Sequence, residues 1–143
     1  MTYFKRASHA LTPTTPSLTV AASPDQLEVM RVFVRTVTAH HALSVDALSD
    51  LVLAVDEAAG ILLEKTLPSS FLTCTFDIDT EHLQVILTAT TARIDTSTTS
   101  FRWFVLQRLV DHLVLEQFPS AVAGAPGNSA TTIILAKALQ AGS

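Results

Sequence analysis

The 143-residue chain has a single cysteine, Cys74, so it can form no internal disulfide, and it contains neither a Cys-x-x-Cys pair nor a cysteine-histidine zinc spacing. That usage fits a reducing cytoplasm. Positive charge is also scarce: 9 lysines and arginines stand against 13 aspartates and glutamates, the formal net charge is -4, and no basic residues cluster. This balance argues against a nucleic-acid surface as the main working face. Long apolar runs are missing as well. The first sixteen residues, although they include Lys5 and Arg6, lack the apolar centre of a secretory signal, and no stretch approaches a membrane span. The expectation is a soluble cytoplasmic protein with no membrane partner.

Apolar residues make up 48% of the chain, enough at this length to bury one sizeable core. One domain is expected over residues 17–140. It follows a flexible tail, residues 1–16, whose Leu11-Thr-Pro-Thr-Thr-Pro16 stretch is too rich in threonine and proline to pack. Leu18 to Ala22 reads as a short strand. Ser23, Pro24 and Gln26 then supply the N-cap, N1 and N3 of a helix whose apolar positions are Leu27, Met30, Phe33, Val34 and Val37. His40 and His41 fall at its C-terminus, where neighbouring side chains diverge by about 100° and make surface residues rather than a metal pair.

Ser44 caps a second helix running to about Lys65. Leu48, Leu51, Val52, Val55, Ala59 and Leu62 form its apolar stripe, with Asp46, Asp50, Glu57 and Glu64 opposite. Phe71 to Asp79 alternates as a half-buried strand. The turn Asp79-Thr80-Glu81 leads into a partner strand carrying Leu83, Val85, Leu87 and Ala89 on one face. A threonine- and serine-rich loop, Thr90 to Ser100, opens into a third helix from Phe101 to about Glu116, buried through Val105, Leu106, Leu109, Val110 and Leu113. A loop from Phe118 to Ser129 precedes a last strand, Thr131 to Ala136. The predicted order is β-α-α-β-β-α-β: an α+β two-layer sandwich, with a mixed, mainly antiparallel sheet and helices on one face.

Four blocks, in order over some 120 residues, resemble the RsbW-type anti-sigma-factor kinases, a serine-protein kinase family of the GHKL or Bergerat ATPase fold. They are the opening Leu18-Thr-Val-Ala-Ala-Ser-Pro-Asp-Gln-Leu with Met30-Arg-Val-Phe-Val34; Leu53-Ala-Val-Asp-Glu-Ala-Ala59 at the family's N-box; Ser100-Phe-Arg-Trp-Phe-Val-Leu-Gln-Arg-Leu-Val-Asp111 at its last glycine box and helix; and Thr131-Thr-Ile-Ile-Leu-Ala-Lys137 at its closing strand.

The resemblance implies roles that several positions cannot fill. Glu57 matches the general base toward a substrate serine. Ile61 stands where the family has the asparagine that holds Mg2+, and an aliphatic side chain cannot ligate it. In the adenine-reading loop Asp95 matches the aspartate, but Thr96 to Thr99 bring side chains where the family uses glycines for close backbone approach. Phe101 and Trp103 replace phosphate-facing glycines, and Thr131 matches a threonine of the last box. Phosphoryl transfer depends on metal ions and positioned donors, so no kinase activity is expected. Without the resemblance, Glu57 is one residue of a solvated acidic helix face, and Cys74 an inert core thiol.

The resemblance implies an anti-sigma factor that sequesters an alternative, stress-type sigma factor and is released by a STAS-type anti-anti-sigma factor. It also implies homodimerisation; the departures from the family's boxes lead to the expectation of no cofactor, and no metal is assigned. Arg31 and Arg35, one turn apart on the first helix, and Phe101, Phe104 and Arg108 on the third are the candidate partner-binding residues. The alternative is a working serine-protein kinase that phosphorylates the STAS partner with ATP and Mg2+ through Glu57, Asp95 and Thr131. A third reading is a scaffold domain for another partner.

Overall fold

A computed structural model describes residues 16–96, 100–119 and 128–140. Apart from Pro16, the expected tail lies outside the described residues, as does most of the loop after Phe118. The chain forms β1 (Ser17–Ala21), α1 (Leu27–Thr38), α2 (Val45–Leu63), β2 (Phe71–Ile78), β3 (His82–Ala92), α3 (Ser100–Leu109), β4 (His112–Pro119) and β5 (Asn128–Ala138). The strands make one open sheet in the order β1-β2-β3-β5-β4, with every neighbouring pair antiparallel. The sheet is thus wholly antiparallel rather than mixed, and the order is β-α-α-β-β-α-β-β.

The register explains the core. One row runs Leu18, Cys74, Leu87, Ile133, Leu115 across all five strands and joins the apolar sides of the three helices in a single cluster. The next row, Thr19, Thr73, Thr88, Thr132 and Glu116, lies on the opposite face, as side-chain alternation requires. The arrangement is α+β and compatible with two layers. Met30 and Val34 of α1, and Leu51, Val55, Ala58 and Leu62 of α2, are at most 2% exposed. Phe33 packs edge-on to Phe76 at 5.5 Å, a geometry that adds about 0.5–1.5 kcal/mol beyond area burial.

The local signals act in different ways. Ser44 accepts a hydrogen bond from the Ala47 amide and caps α2. Ser23 makes no such cap; its hydroxyl donates to the Asp25 carboxylate, and Pro24–Gln26 form a 3-10 turn before α1 begins. Asp79 accepts from the Glu81 and His82 amides and closes the β2–β3 turn, and those bonds hold its carboxyl below the usual range.

The third helix ends at Leu109, not near Glu116, and a strand follows it. The Lys137 ammonium donates to the Leu109 carbonyl at 2.8 Å, satisfying a helix C-terminal acceptor with positive charge. Asp111 then pairs with β5, its amide donating to Ala136 and its carboxylate accepting from the Ala138 amide. Leu113 consequently faces the core from β4, opposite Leu135, and not from a helix. Asp111 and His112 likewise lie beyond the end of α3, His112 as the first residue of β4.

Candidate functional site

Helix α2 lies between the two others, and its consecutive carboxylates Asp56 and Glu57 diverge by about 100° around the axis. Each meets an arginine from a different helix. Arg31 of α1 donates through Nε to Asp56 at 2.8 Å, and Arg102 of α3 donates through Nε to Glu57 at 3.2 Å. The Asp56 hydrogen bond, and then its charge, raises the Arg31 pKa.

Arg102 also reaches Glu64, two turns beyond Glu57, with Nη1 at 3.0 Å. Its guanidinium crosses α2 above Gly60, where a β-carbon would collide with Nη2. Glycine at a helix interior costs about 1 kcal/mol relative to alanine, and here its bare backbone gives the guanidinium room. Glu57 is therefore ion-paired and one-third exposed rather than a member of a solvated acidic face.

One turn further on, Ile61 is 1% exposed and packed in the core. Thr131 is buried, its hydroxyl 2.7 Å from that of Thr91. Asp95 is exposed in a segment tied to β4 by Gln117, whose side-chain amide accepts from the Ile94 amide and donates to the Ile94 carbonyl. Ser97 to Thr99 lie outside the described residues. Among the described residues, no group of three or more histidine, cysteine, aspartate or glutamate side chains is placed to hold a metal ion.

The partner-binding candidates separate into two groups. Arg31 and Arg35 line one groove of about 270 Å³ between α1 and α2 with Leu48, Ser49, Val52, Leu53 and Asp56. Leu53 in that lining is 48% exposed, so apolar surface adjoins the two guanidinium groups. On α3, Phe101 and Phe104 are exposed, and Arg108 stacks on the Phe104 ring at 5.4 Å. Both groups stand on helices packed against α2.

Sequence reasoning singled out Glu57 and Ile61 but not Asp56, Gly60 or Arg102. Gly60 was the available signal, since an isolated glycine inside a helical pattern marks a close approach. Cys74 is fully buried, and burial pushes its thiol up to about 12. No described helix is long and apolar enough to cross a membrane. Compared with known proteins, the chain matches no family model and no curated protein.

Proposed function

We propose that the chain is a cytoplasmic anti-sigma factor of the GHKL type that sequesters an alternative, stress-type sigma factor as a homodimer. A STAS-type anti-anti-sigma factor releases it, without being phosphorylated by it. The four sequence blocks that resemble such regulators support the partner class, and the Arg31–Arg35 groove supplies a mixed cationic and apolar surface for a protein partner.

The observation that carries the loss of kinase activity is the Arg102 bridge to Glu57 beside buried Ile61. A general base must take a proton from the substrate hydroxyl. Arg102 occupies one oxygen of the Glu57 carboxylate, and a substrate hydroxyl has to compete with the guanidinium for it. Mg2+ needs oxygen ligands, and Ile61 offers none. ATP and Mg2+ are accordingly not cofactors in this reading, and neither nucleic acid nor membrane is a partner.

The test is co-purification from the native host with mass-spectrometric identification of the bound chains. A sigma subunit should co-elute at fixed stoichiometry and be lost in the Arg31→Glu/Arg35→Glu variant. A partner set with no sigma factor would point to a scaffold domain. Transfer of labelled phosphate from ATP to a STAS partner would restore the kinase reading.

A further inference from the structure

On the sheet face opposite the helices, two histidines meet near one end of β3 and β4. Side chains alternate along a strand, so His82 and Gln84 of β3 share that face with His112 of β4 and with Ala136 and Ala138 of β5. The register sets His82 opposite Ala138, Gln84 opposite Ala136, and Ala136 opposite His112. The alanine methyls of the intervening strand leave room for both imidazoles to lean together, and their ring centroids stand 5.4 Å apart with the planes at 65°. His82 is half-buried and His112 exposed. Their neighbour Gln84 is 8% exposed, and its Oε1 is buried with no hydrogen-bond partner. A buried acceptor left unsatisfied is costly, so this oxygen, on the same strand face as His82 and two residues from it, has a lone pair to offer.

We propose that His82, His112 and the side-chain oxygen of Gln84 form a binding site for a divalent late transition-metal ion, with water completing its coordination. Imidazole nitrogens suit zinc, copper and nickel, and affinity at such a site peaks at copper(II). Two imidazoles bound tetrahedrally with metal–nitrogen bonds of about 2.0–2.1 Å have ring centroids roughly 5 Å apart. His82 and His112 already stand at that separation, so binding requires rotation of the two rings and of the Gln84 side chain, whose oxygen is buried in the ion-free fold. The third protein ligand is an amide, which makes this an open site and not a closed structural zinc centre.

The experiment is calorimetric titration of the full chain, without a histidine tag, with zinc, nickel and copper(II) chlorides in turn, alongside NMR of the histidine ring resonances. The expected result is one ion per chain, with the His82 and His112 rings shifted. Affinity should fall at least about tenfold in His112→Ala, as outer-shell losses alone cost 10–100-fold. His112 is exposed, so that variant folds. Gln84→Leu should weaken binding, while the double variant His40→Ala/His41→Ala should leave it unchanged. No binding of any of the three ions, full affinity retained in His112→Ala, or loss of binding in the His40/His41 variant would overturn the assignment.

Discussion

Asp56 and Glu57 adjoin in sequence, yet they answer to arginines 25 and 45 residues away because α2 turns one toward α1 and the other toward α3. Both pairs are partly exposed, so solvent screens them, and the Arg102–Glu57 pair contributes about 0.2–1 kcal/mol. A double-mutant cycle with Glu57→Gln and Arg102→Met, followed by urea denaturation, should return a coupling energy in that range. Repeating the cycle on a Gly60→Ala background should reduce the coupling, because the added methyl displaces the end of the Arg102 side chain; unchanged coupling there would show that Arg102 does not need the glycine. Cys74 gives a second test at this scale. Its folded pKa, raised to about 12, lies above the ordinary thiol value of about 8.5. The stability contributed by the neutral thiol is therefore fully present below about pH 8.5 and is lost as pH rises toward 12. A thiol reagent at pH 8 should leave the native protein unlabelled and label it once unfolded in urea.

The turn between α2 and β2 places Pro68 before Ser69, which adopts φ 62°, and the Ser70 amide donates to the Leu67 carbonyl. Left-handed backbone costs a non-glycine residue about 1–2 kcal/mol. Ser69→Gly should raise stability by about 0.5–1 kcal/mol in chemical denaturation, net of glycine's extra chain entropy. At the junction of α3 and β4, Lys137 holds both the Leu109 carbonyl and, at 3.5 Å, Asp50. Lys137→Met should cost about 1–2 kcal/mol and speed hydrogen exchange in the last turn of α3.

The same junction shows where sequence periodicity stopped being informative. Val105, Leu106, Leu109, Val110 and Leu113 keep helical spacing across a boundary set by Lys137 and Asp111, contacts no local pattern reveals. The run Leu113-Val114-Leu115 fits a buried helix or a strand equally well. By contrast, β2 and β3 were legible because alternation and the Asp79 turn agree. Capping by Ser44 similarly agrees with the stripe of α2.

For the molecule as a whole, an antiparallel five-stranded sheet with its core on the helix side leaves apolar side chains exposed on the outward surfaces of α1 and α3, Val29 and Val32 on the first and Phe101 and Phe104 on the second. The candidate site was legible in part. The spacing of Glu57 and Ile61 put them one turn apart on α2, as they stand, whereas the contact of Arg102 with Glu57 arises from packing and could not be read from spacing. The central claim is a regulator that works without nucleotide, and calorimetric titration of the purified chain with ATP and Mg2+ tests it most directly. The account predicts no heat of binding at millimolar ATP and no rise in melting temperature, since only a ligand that binds the folded state raises it. Micromolar binding accompanied by such a rise would contradict it and would mean that Arg102 gives way to nucleotide.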